Sequence, residues 1–355
     1  MTYEYAGNLH VHTPFSDGWG THEQVAQAAL RAGIDFVVVT DHNVWVDGLE
    51  GYRYDGEKRV LLLVGEEIHD QTRKPQKSHL LVVGANQELA PLAPHPQRLL
   101  DGVAKAGGLS FFAHPDDPAA PLFDQTDLSW VDWDLEGYTG IELWNFMTEF
   151  KSKLKSRAAA IHFAYKPHRI ATGPDPKTLQ RWDQLLASGR KVVAIGGADA
   201  HAFILRAGPF RREIFPYEFL FRAVNTHILT NEPLSGDAEN DRRRLYHSLR
   251  LGRCFVAYDL PAPTRGFRFT AQGKDEQVIM GESISARHGV TLQVWLPQRA
   301  DIRILRDGQL VRELIGQQTG VEIASQPGAY RVEASLEYRG KKRAWILSNP
   351  IYVTA

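Results

Sequence analysis

Five separated stretches of this chain place histidine and carboxylate at the end of a short apolar run, so its fold must gather several strand ends in one place. The first is His10-Val11-His12, followed by Ser16-Asp17. Alternate residues of an extended strand point to the same side, so His-x-His offers two imidazoles to one cation. The others are Thr40-Asp41-His42, Gly65-Glu66-Glu67-Ile68 with His79, Ala113-His114-Pro115 and Gly197-Ala198-Asp199-Ala200-His201. Imidazole and carboxylate donors without thiolate suit zinc, manganese or iron. The pattern predicts a multinuclear metal site.

The residues between these stretches predict an α/β scaffold. Thr21 with Gln24 three positions on is a capping box, and Val25, Ala28, Ala29 and Ala32 form one apolar helical face that ends at Gly33. Ile34–Thr40, Val60–Val64 and Leu80–Val83 are buried-strand runs, apolar on both faces. A helix over Pro96–Ala106, a strand over Leu109–Ala113 and a strand over Gly140–Asn145 follow. Helices over about 150–165 and 176–188 then precede a strand over Lys191–Ile195. Repeated β-then-α units of this kind predict a parallel sheet closed into a barrel or near-barrel, with the motifs at the carboxyl ends of its strands. Residues 216–252 read as helical, ahead of a strand over Arg253–Tyr258. After Pro261-Ala262-Pro263 the texture changes to alternating short strands and tight turns, which predicts a small antiparallel β-sandwich. The expected domains are 1–260 and 265–355.

Composition narrows the function classes. A net charge of −1 over 355 residues argues against a general binder of long nucleic acid, which needs a basic surplus. The single cysteine, Cys254, excludes an internal disulfide and a cysteine-rich zinc site. The first residues have neither a basic nor an apolar leader pattern, and no stretch approaches the roughly 20 apolar residues of a membrane span. A cytoplasmic location with no membrane partner is expected. Of the 14 histidines, eight lie outside the motifs and are read as ordinary surface or core residues, with His69 and His168 the two that a loop could bring near the site.

Taken together, the motifs resemble those of the PHP (polymerase and histidinol phosphatase) superfamily: H-x-H with a downstream S-D, then T-D-H, a glutamate with two later histidines, and D-x-H. The resemblance covers residues 8–201. It implies a distorted seven-stranded β/α barrel with a trinuclear centre. By position, one metal takes His10, His12, Glu67 and Asp199. A second shares Glu67 and adds His79 and His114, and a third takes Asp17, His42 and His201. Asp17, Glu67, Asp199 and His201 are the expected catalytic groups. Glu142 is expected to support the ligands, Asp41 either to orient a histidine ligand or to join the ligands itself, and Arg206 to reach substrate. Glu66 should face away from its neighbour Glu67. Ala198 stands where the family often has serine, which removes a hydroxyl but no ligand.

Three divalent cations, less three carboxylates and a bridging hydroxide, leave about two positive charges, a match for a phosphate monoester dianion. The resemblance thus implies a metal-dependent phosphoesterase that attacks a small phosphate ester or nucleotide with a metal-bound hydroxide, and phosphate or sulfate as occupants of the site. A weaker resemblance in the C-terminal half, through Pro216–Leu220, Leu251–Val256 and Leu347–Val353, is to PHP proteins with a β-sandwich, including enzymes similar to carbaryl hydrolase. Hydrolysis of a carboxyl ester, carbamate or amide by the same centre is therefore the alternative.

Overall fold

The computed structural model describes residues 2–207 and 210–355, without the side chains of 205–211. The first strand, β1 (Tyr3–Asn8), leads through a loop to helix α1 (His22–Ala32). The Thr21 hydroxyl accepts from the Gln24 N–H and the Gln24 side chain returns the bond, while Gly33 ends the helix at φ +81°, where a side chain would be strained. The helix buries Val25, Ala28 and Ala29 against strands β2 (Phe36–Val39) and β4 (Lys58–Ile68). Between them in the chain comes β3 (Gly51–Asp55), which pairs antiparallel with β4 and which the sequence reading did not anticipate. It is half-exposed with polar ends and carries no apolar run.

The remaining strands of the N-terminal half are β5 (Leu80–Val83), β6 (Leu109–Phe112), β7 (Gly140–Asn145) and β8 (Val193–Gly197). Helix α2 (Pro96–Lys105) precedes β6; α3 (Phe146–Ser152), α4 (Arg157–Tyr165) and α5 (Pro176–Ala187) lie between β7 and β8. Pairing runs β1–β2–β4–β5–β6–β7–β8. Beyond the ends of β1 and β8, Val11 and Ala200 form a parallel bridge. There the His12 N–H donates to the Ala200 carbonyl at 2.9 Å and the Ala200 N–H to the His10 carbonyl at 3.1 Å.

Two expectations are corrected. The sheet is not wholly parallel, because β5 runs antiparallel to both β4 and β6. His79 therefore enters at the amino end of its strand, across a short connection from Ile68. Residues 216–252 are not wholly helical either. After β9 (Ile204–Ala207), β10 (Phe210–Glu213) and the single turn α6 (Tyr217–Leu220) comes a buried strand, β11 (Val224–Thr230), followed by α7 (Ala238–Arg250). Its sequence, VNTHILT, mixes apolar and polar residues, yet all seven are buried because the polar side chains have partners. Thr226 Oγ1 accepts from the Gly196 N–H and donates to the Gly196 carbonyl, and Asn225 bonds Asn8 and Asp259.

Strand β12 (Cys254–Tyr258) pairs with β11 on one side and with β19 (Lys341–Ser348) on the other. Around β19 lie β13 (Arg268–Gln272), β14 (Gln277–Ile279), β15 (Ser283–Ser285), β16 (Thr291–Arg306), β17 (Gln309–Ile323), β18 (Gly328–Tyr338) and β20 (Ile351–Thr354). They are mostly antiparallel and enclose a second core that includes Phe269, Leu292, Ile302, Val332 and Trp345. The two halves are tied closely. Asn349 accepts from the Ala194 N–H of β8 and donates to the Ala194 and Cys254 carbonyls, and the buried Arg331 makes a two-bond pair with Asp183 of α5. Among the described residues no helix is long and apolar enough to cross a membrane.

A buried triad fastens β1 to β11 and the end of β12. His227 sits 2.9 Å from Glu4 and 3.2 Å from Asp259. Burial alone would lower its pKa, but Asp259 and Glu4 outweigh that and raise it to about 9. The stability it contributes is present in full below about pH 6.5, the unfolded value, and is lost as pH rises through 9. His227→Gln should accordingly be less stable than the wild type at pH 6, with the difference in Tm shrinking by pH 9.5. Melting curves across that range provide the check, and a pH-independent difference would count against the ion-paired triad.

Candidate metal centre

All nine expected ligands converge. His10 and His12 flank Val11 at the bridge to Ala200, so both rings enter the same space. His42 follows β2, Glu67 lies near the end of β4, His79 precedes β5, His114 follows β6, and Asp199 and His201 follow β8. Their donor atoms form three overlapping groups, each within 4.8 Å: His10, His12, Glu67 and Asp199; Glu67, His79 and His114; His12, Asp17, His42 and His201.

Glu67 is the hub. Its Oε1 lies 2.8 Å from His79 Nδ1 and 2.9 Å from His114 Nε2. Its Oε2 lies 3.1 Å from His10 Nε2, 3.2 Å from His12 Nε2 and 3.2 Å from His42 Nδ1. His12 Nε2 and His42 Nδ1 are buried and have no hydrogen-bond partner, although a carboxylate oxygen stands so near. Both nitrogens are thus unsatisfied within a group of donor atoms that lie within 4.8 Å of one another. Donor separations of about 3 Å are the edges of a polyhedron whose centre lies about 2.1 Å from each corner. The residues fit divalent cations.

Electrostatics separates the rings into two kinds. Burial opposes a proton on His10, His12 and His114, but the carboxylates prevail: His10 is held well above the ordinary imidazole range, His12 rises to about 10 and His114 to about 9. Burial prevails over the pull of Glu67, with the neighbouring His12 and His79 rings adding to it, and pushes His42 down to about 3. Glu67 and Asp199 resist burial and are driven well below the carboxylate range by the imidazoles, and Asp17 falls to about 2. The site is thus an anionic framework that holds positive charge, as protons or as cations.

The supporting residues divide differently from expectation. Glu142 is buried, with Oε1 at 3.0 Å from His10 Nδ1 and Oε2 accepting from the His114 N–H and from Asn145 Nδ2. It leaves His10 Nε2 free to face the cluster. Gly197 makes room for it, since a Cβ there would lie 2.6 Å from Glu142 Oε1. Asp41 does not touch the cluster rings: its oxygens accept from the Thr13 N–H, the Thr13 hydroxyl and the Ser16 hydroxyl, which fixes the turn that carries Asp17. Glu66 faces away as expected, accepting from the Leu89 N–H; burial and Glu88 raise it to about 9. Arg206 lies on β9, and its side chain is outside the described residues.

Three contributors were missed. His69 groups with His42 and His79, stacked at 4.5 Å on the latter. Its signal was available, because Glu67-Ile68-His69 has the same alternation as His10-Val11-His12. Asn145 caps α3 through the Thr148 N–H while holding Glu142. The Tyr217 hydroxyl donates to the His12 carbonyl at 2.7 Å, and neither of these last two had a motif to mark it.

With this geometry in view, comparison with known proteins gives a match of residues 8–91 to the family model of the PHP domain. The matched segment holds His10, His12, Asp17, His42, Glu67 and His79; His114, Asp199 and His201 join them only through the fold. Over 122 residues the chain is 25% identical to an uncharacterized protein of Methanocaldococcus jannaschii, a span of 31% of this chain and 68% of that one. Over 88 residues it is 33% identical to the phosphoribosyl 1,2-cyclic phosphate 1,2-diphosphodiesterase of Eggerthella lenta, spanning 24% of this chain and about a third (33%) of that relative. A solved two-domain protein of Bacteroides vulgatus that contains a predicted PHP-like metal-dependent phosphoesterase superposes with a TM-score of 0.44. It is 16% identical, with 98% of this chain and 95% of that one covered.

Glu142→Gln removes the charge behind His10 without changing shape. It should leave the fold intact and weaken cation affinity by about tenfold or more, measured against a competing chelator. Unchanged affinity would exclude Glu142 as a positioning residue.

Proposed function

We propose that this protein is a metal-dependent hydrolase of small phosphate esters, with cations held by three groups of ligands, the first two of which share Glu67. The first comprises His10, His12, Glu67 and Asp199; the second Glu67, His79 and His114; the third Asp17, His42 and His201. The observation that carries this reading is the single buried carboxylate, Glu67, with two oxygens turned to different sets of imidazoles. The β1–β2–β4–β5–β6–β7–β8 order and the Val11–Ala200 bridge support reading the scaffold as a distorted seven-stranded barrel, with 265–355 as a β-sandwich domain.

Divalent cations bound there would supply an acidified water and would neutralise phosphoryl charge. The chain's own groups set the stage. Asp17, half-exposed, and His201 stand 3.1 Å apart at the mouth, while Glu67 and Asp199 lie deeper. His201 is held by its Nδ1, 2.8 Å from the Asp199 carbonyl, and Phe203 stacks on its ring at 4.9 Å. The cluster opens on a cavity of about 430 Å³, within the range of small-molecule sites. The similarity to a cyclic phosphate diphosphodiesterase favours a phosphorus centre over a carbonyl one.

The test is turnover of p-nitrophenyl phosphate and a nucleoside monophosphate by protein reconstituted with zinc, manganese or iron. EDTA should abolish it and metal restore it. His10→Ala and Asp199→Ala should each lose several orders of magnitude in kcat, with the circular dichroism spectrum preserved. Turnover of naphthyl acetate or a naphthyl carbamate in place of the phosphates would move the same site to carbonyl chemistry, and near-full activity in either variant would defeat the assignment.

A further inference from the structure

The cavity beside the cluster has a second wall with a character of its own. Met147, Phe150 and Lys151 share one face of α3, and Leu154 follows just beyond its end. Phe123 and Leu128, from the loop after His114, add to this apolar lining, as does Phe203 beside His201, with Gln76, Gln125, Thr126 and Thr148 as uncharged polar neighbours. Outside the ligand cluster, the charged side chains that line the cavity among the described residues are Asp117, Asp124 and Lys151, two carboxylates against one ammonium.

That ammonium is already engaged. Lys151 Nζ lies 2.8 Å from Asp117 Oδ2 and 2.7 Å from the Thr126 carbonyl, with both charged side chains largely buried. The other Asp117 oxygen, Oδ1, is buried without a hydrogen-bond partner. Among the described residues a second anionic group on a ligand would therefore meet a desolvated carboxylate and no free cation, which is costly in an apolar setting. A flat apolar group meets Phe150, Phe123 and Leu128 instead.

The geometry points to a phosphate ester whose leaving group is uncharged, flat and largely apolar, an aryl alcohol or similar, with the Asp117–Lys151 pair selecting against leaving groups that carry a second anion. This substrate class rests on the phosphoester reading of the site.

The experiment is calorimetric titration of the metal-loaded protein with phenylphosphonate, methylphosphonate and 4-carboxyphenylphosphonate, none of which can be hydrolysed. Phenylphosphonate should bind at least about tenfold more tightly than either of the others. Asp117→Asn should narrow the gap to the carboxylated probe several-fold. Leu154→Lys, at the half-buried rim, should do the same and serves if the first variant does not fold. Equal affinity for the phenyl and methyl probes, no discrimination against the carboxyl group, or unchanged selectivity in a folded variant overturns the inference. If metal binds and none of the probes does, the phosphoester reading fails with it.

Discussion

A single carboxylate, Glu67, determines how the N-terminal half of this protein is arranged. It is buried, and a bare charge in such a place would cost several kcal/mol. Five imidazoles offset that cost, two at one oxygen and three at the other. They arrive from the ends of three strands, β1, β5 and β6, and from the loop after β2, so the charge that must be satisfied also fixes where those ends meet. Without cations the role falls to protons on His10, His12 and His114, which explains why these rings hold protons so firmly in spite of burial.

The ligand set was legible because its signals are local. His-x-His, T-D-H and D-x-H each need only strand alternation to become a claim about direction, and helix α1 announced both its ends through Thr21, Gln24 and Gly33. Where meaning depended on tertiary partners, the sequence was silent or misleading. Strand β11 looked helical because its Asn225, Thr226 and His227 are polar, and only their bonds across the sheet make burial possible. The reversed direction of β5 leaves no mark in LLVV, since an apolar run is the same read either way. Asp41 sits in a motif beside a ligand, yet its oxygens are taken by the turn at Thr13 and Ser16, a distribution no spacing rule reveals.

The centre is also held by backbone that other residues would avoid. His114, Asp199 and Ala202 lie at φ +30°, +54° and +53°, in the left-handed region. Such conformations cost on the order of 1–3 kcal/mol each and persist only where the surroundings over-determine them. Here the surroundings are identifiable. Glu142 receives the His114 N–H, the Asp199 carbonyl faces the His201 ring, and Tyr217 clamps the His12 carbonyl. Two ligands thus leave their strands at sharp angles and still arrive at the same point.

Asn349 gives the C-terminal half a part in this arrangement that no motif would suggest. Strand β8, which leads directly into Asp199 and His201, receives bonds at Ala194 from an amide 155 residues later in the chain. The strand that delivers the last two donors is therefore pinned near its start by the β-rich half, and loosening Asn349 would reach Asp199 and His201 through β8 without touching a ligand.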